Sequence, residues 1–138
     1  MGPRVVDSDP PQWDQSLREV GLVALQAAVL TRRIFLPRAR REDLAPEQWQ
    51  VLLAIALTDT APYEHATASV ESIAIQLSLD WDRVHESLFG LAADGFVVAE
   101  EDLQDDPPRF LLSARGWDAA GAYTERAGRF LPGWPPAP

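Results

Sequence analysis

The chain contains no cysteine among its 138 residues. That excludes disulfides, cysteine-ligated zinc and a thiol nucleophile. It contains no lysine either; all 12 basic residues are arginine, so a Ser-x-x-Lys arrangement is excluded as well. No run reaches the about 18 unbroken apolar residues that a membrane span needs. The nearest, Val20 to Leu30, is short and flanked by Arg18, Arg32 and Arg33. The start, Met-Gly-Pro-Arg, lacks a basic-then-apolar leader, and the expected location is the cytoplasm, with no membrane contact. Gly-rich phosphate loops and nucleophile-elbow motifs are missing. The carboxylate pair Asp105-Asp106 falls in a polar loop without the dry cleft that acid–base catalysis requires. His65 and His85 come from separate segments without a clear third ligand, which is weak ground for a metal site. Neither catalysis nor a cofactor is expected.

What is present suits one ordinary folded domain. Hydrophobic residues make up 46% and charged residues 24%, enough to bury a core without the signature of disorder. The formal net charge is −9, which disfavours tight non-specific nucleic-acid binding, because neutralising phosphates needs a basic surface. The charge is uneven. Residues 31–41 (TRRIFLPRARR) carry five Arg and no acid, whereas residues 71–126 carry 12 acids and four Arg, a local net of −8.

Along the chain, Asp9-Pro10-Pro11 reads as a helix start, and helical spacing then predicts a helix from about Gln12 to Arg33. Trp13, Leu17, Val20, Ala24 and Ala27 line one of its faces. Leu22, Leu25 and Val29 form a second apolar face, which suggests burial on both sides and a second subunit. Leu44-Ala45-Pro46-Glu47 opens the next helix, with Trp49, Leu52, Leu53 and Ala56 inward. His65 to Thr67 is a candidate short strand. A short helix follows from Ser69 or Val70 to Leu77, then a Ser78-Leu79 turn. Asp80 is expected to cap a helix over Trp81 to Ala93, with Val84, Leu88 and Leu91 inward. Gly95 ends it. Strands at Phe96–Ala99 and Arg109–Leu112 predict a hairpin with a long acidic tip. Ser113 caps a last helix to about Arg126, and Gly128–Pro138, with four Pro, reads as a tail.

The order is helix, helix, short helix, tight turn, helix, hairpin, helix. This is a helix-turn-helix followed by a wing. Four segments resemble the MarR-like winged-helix transcription regulators: Leu44–Leu52, Ser72–Asp80, Leu91–Val97 and Leu112-Ser113-Ala114-Arg115-Gly116. The expected fold is therefore mainly α with a small β-hairpin (α+β), a winged helix-turn-helix. Residues 1–43 would hold a dimerisation helix and an Arg-rich linker, 44–113 the winged domain, and 114–138 a last helix and tail. The resemblance implies a homodimeric regulator that reads double-stranded DNA through the Trp81–Ala93 helix. Setting that helix on the family pattern places Asp82, Arg83, Glu86, Ser87 and Gly90 outward.

Charge pulls the other way. Asp82 and Glu86 are one turn apart on the reading helix, and Glu100–Pro108 at the wing carries five acids and no Arg. Carboxylates repel phosphate unless they accept from a base amine. The candidate DNA contacts are Arg83, His85, Ser87 and Arg109. Arg32, Arg33, Arg38, Arg40 and Arg41 are candidates for backbone or partner contacts, and are equally well read as a solubilising linker. Trp81 is a candidate protein-binding anchor. The second reading of the chain is an acidic winged-helix module that has lost DNA binding and docks a basic protein partner.

Overall fold

The computed structural model describes residues 13–31, 44–60, 68–100 and 108–129. Five helices and one hairpin follow in the order α1 (Gln15–Thr31), α2 (Pro46–Asp59), α3 (Val70–Leu77), α4 (Trp81–Ala93), β1 (Val97–Glu100), β2 (Arg109–Leu112) and α5 (Ala114–Gly128). The candidate strand at 65–67, the Asp9 cap and the Arg32–Arg41 cluster lie outside the described residues.

The central helix is α2. The segment Trp49-Gln50-Val51-Leu52-Leu53-Ala54-Ile55-Ala56-Leu57 is buried throughout. A helix apolar all round must be covered all round, and α2 packs against α1, α3, α4, α5 and β2. Burial of α2 extends well past the single expected face. On α1, Leu25 joins the chain's own core while Leu22 and Val23 stay exposed. Arg18 of α1 clasps the other end of α2, its Nη2 donating to the Leu57 carbonyl at 2.9 Å and its Nε to Thr60 Oγ1 at 3.2 Å. A cation at a helix C-terminus satisfies open carbonyls and favours the macrodipole.

Local chemistry sets the remaining boundaries. Ser69 caps α3 by accepting from the Ser72 N–H, and Ser72 Oγ accepts from the Ser69 N–H in return. Ser78 ends α3 in the left-handed region at φ 54. Asp80 sits at the N-cap of α4 but makes no side-chain cap bond, contrary to expectation. Gly95 takes φ 82, the positive value that its place at the helix exit requires. Phe96 is a buried bend rather than the first strand residue, its N–H donating to the Leu91 carbonyl at 2.8 Å. The strands pair antiparallel in the register Val97↔Leu112 to Glu100↔Arg109.

Ser113 ties three elements together. Its N–H donates to the Phe96 carbonyl (3.0 Å), its hydroxyl donates to the Gly95 carbonyl (2.5 Å), and its Oγ accepts from the Gly116 N–H (3.1 Å). Gly116 lies so close to the hairpin that a Cβ there would stand 2.1 Å from the Phe96 carbonyl oxygen. The Phe96 carbonyl carbon at 3.2 Å and Leu112 Cβ at 3.1 Å crowd the same point, and neither is the end of a flexible side chain. Gly116→Ala is therefore expected to lower unfolding free energy by about 3 kcal/mol, and Ser113→Ala by about 1–2 kcal/mol through loss of the cap. Denaturant titration of the two variants measures both.

Candidate nucleic-acid interface

The short helix α3 and the longer α4 meet through a turn made by backbone bonds. Ser78 N–H donates to the Ile75 carbonyl (3.3 Å) and Leu79 N–H to the Ala74 carbonyl (3.1 Å). Ile73 and Leu77 of α3 and Val84, Leu88 and Leu91 of α4 are buried between the two helices and α2. That packing fixes which side of α4 faces outward.

Residues Trp81, Asp82, Arg83, His85, Glu86, Phe89, Ala92 and Ala93 are exposed along α4. At about 3.6 residues per turn, the middle of this face is Asp82, Glu86, Phe89 and Ala93. Trp81 and His85 flank it on one side, stacked with ring centroids 5.3 Å apart. Arg83 and Gly90 flank it on the other, toward α2. Arg83 pairs with Glu47 in the first turn of α2. A Cβ at Gly90 would come 2.8 Å from Gln48 Nε2.

Of the expected contacts, Arg83 and His85 are on the outer face. Ser87 is not: it is 8% exposed. One turn before Leu91, it falls on the same inward stripe as Val84 and Leu88. Trp81 is 55% exposed, as an anchor must be. Arg109 lies at the loop end of the wing strands, facing Glu100 across them at 3.6 Å. Each of the two cations already has a carboxylate partner.

The sequence reading missed Phe89, which is 73% exposed at the middle of the reading face. The signal was available, since Phe89 shares a stripe with Asp82 and Glu86 and opposes Val84, Leu88 and Leu91. It also missed Asp59, at the end of α2. Its Oδ2 is buried without a hydrogen-bond partner, as is Arg109 Nε. Burial, opposed by the nearby Arg109 charge and reinforced by Glu100, pushes the Asp59 carboxyl up from 3.8 to about 6. Among the described residues no group of three or more His, Cys, Asp or Glu is placed to hold a metal ion. No described helix is long and apolar enough to cross a membrane.

No protein-family model matches the chain, and no curated protein matches it in sequence. Solved structures do match in fold. MepR, a transcription regulator of the Staphylococcus aureus multidrug efflux pump MepA, aligns over 85% of this chain and 78% of its own, with 18% identity and a TM-score of 0.53. The transcriptional regulator SlyA aligns over 82% of this chain and 72% of its own (20% identity, TM-score 0.49), and a MarR-family regulator from Rhodococcus sp. RHA1 over 85% and 75% (20% identity, TM-score 0.47). The fold likeness rests on the first of these. The chain has a winged helix-turn-helix fold like that of MepR.

The Asp59 carboxyl carries a pH signature. Its folded value lies above its ordinary one, so the stability it favours is complete below pH 3.8 and is withdrawn as pH rises through about 6. Asp59→Asn is expected to gain stability relative to the parent chain between about pH 4 and about pH 7, with little difference below that window. Thermal unfolding across that range, parent against variant, reads the effect.

Proposed function

We propose that this chain is a DNA-binding transcription regulator that acts as a homodimer, with one α4 from each copy in a major groove. The observation that carries this reading is the outward face of α4, held rigidly by α2 and α3 and followed directly by a two-stranded wing. In dimeric readers of this kind the two helices enter grooves about 34–36 Å apart. The exposed Leu22 and Val23 on α1 support α1 as the dimer helix; apolar residues left in water on a helix otherwise packed by its own chain suit a second copy. The neighbours by fold are transcription regulators and not enzymes.

The chemistry of the face tells what kind of reader it is. Arg83, His85 and Arg109 supply phosphate contacts. Asp82 and Glu86 repel phosphate but accept from the cytosine amine, and Phe89 offers an apolar contact for a thymine methyl. Affinity would come less from counterion release and more from base edges than in a basic reader.

Fluorescence anisotropy against a genomic fragment library at low salt tests the proposal. Binding should weaken as salt rises, and Arg83→Ala should reduce the slope of log K against log salt by about 1. No retention even at low salt overturns the reading. On a selected site, replacing thymine by uracil opposite Phe89 should weaken binding about four-fold, the worth of one buried methyl. Val23→Asp is expected to turn a dimer at micromolar concentration into a monomer by sedimentation, without loss of helix content.

A further inference from the structure

Between the start of α2 and the turn joining α3 to α4 lies a cleft of about 480 Å³, lined by Glu47, Gln50, Leu79, Asp80 and Arg83 among others. Its lining holds acceptors without a protein donor. Gln50 is 2% exposed, and its Oε1 has no hydrogen-bond partner. An acceptor kept from water without a donor is a standing cost that a bound donor would remove. Asp80 stands at the N-cap of α4 with no cap bond from its carboxylate. Glu47 is a second carboxylate, and the cation of the lining, Arg83, is engaged with it.

On the α2 side of the cleft, the features that would favour an anion are weakened. A helix start attracts negative charge through free N–H groups, but α2 begins with Pro46, which has none. The Ala45 N–H is taken by Gln48 Oε1 at 2.9 Å. Two carboxylates against one guanidinium leave these charged side chains net negative.

We propose that this cleft binds a small primary ammonium compound, whose nitrogen donates to Gln50 Oε1 and to the carboxylates of Asp80 and Glu47. An ammonium carries three donors and no acceptor, which matches what the cleft offers; its carbon part lies against Leu79. The bound ammonium competes with Arg83 for Glu47 and so frees the guanidinium at the beginning of α4. This second consequence rests on the DNA-binding reading; the binding itself does not.

Isothermal titration of the full chain with benzylammonium, benzyl alcohol and benzoate, three ligands of one shape and different charge, tests the site. Benzylammonium alone should saturate, with a millimolar or lower Kd that rises with salt. Asp80→Asn and Gln50→Leu should each weaken it about ten-fold. Asp80 is on the surface, so its variant remains informative if Gln50→Leu fails to fold. Absence of saturation by benzylammonium, binding of benzoate or the alcohol with equal affinity, or an unchanged Kd in Asp80→Asn overturns the proposal. In a separate anisotropy arm, benzylammonium should raise the DNA affinity of the parent chain and leave that of Arg83→Ala unchanged. Amine binding with no DNA binding at all would defeat only the regulator reading; DNA binding with no amine saturation would defeat only this one.

Discussion

Backbone touches backbone where α5 crosses the root of the hairpin, and the rest of the helix-turn-helix and wing is built around that contact. The Phe96 carbonyl sits where only the hydrogen of Gly116 can pass, and it accepts from the Ser113 N–H while the Ser113 hydroxyl holds the Gly95 carbonyl. The end of α4, the first residue of the wing and the start of α5 are therefore one rigid joint. Because α5 packs in turn on α1 and α2, the orientation of the wing relative to α4 is inherited from the core and not from the hairpin's own strands, which are only four residues each.

Electrostatics on this unit are arranged in closed pairs. Arg83 is held by Glu47 and Arg109 by Glu100. Exposed pairs of this kind contribute little to stability, so exchanging a carboxylate for a phosphate costs the fold little. The same pairing keeps the free chain from presenting bare cations, in keeping with a protein of net charge −9. Among the described residues no cation pairs with Asp82 or Glu86, so the middle of the outward face of α4 is left with uncompensated negative charge.

Much of the fold was legible in the sequence where the signals are local. The bounds of α4 and β2, the cap at Ser113 and the positive φ at Gly95 each follow from one or two residues with a narrow conformational preference. The roles of α1 and α2 were less legible, because apolar periodicity says a face is covered without saying by what. Ser87 was misplaced when α4 was aligned on an outside pattern; counting turns from Leu91 puts it inward. Asp59 and Gln50 left no trace at all in the sequence, since their burial comes from elements far away along the chain.

Gly90 is held close to the start of α2. A side chain there would meet the end of Gln48, the residue whose amide oxygen holds the Ala45 N–H at the entry to α2. Position 86 opens onto solvent. The two positions are thus unequal: a longer side chain at 86 enters solvent, while one at 90 first turns aside the Gln48 side chain and with it the bond that holds the Ala45 N–H.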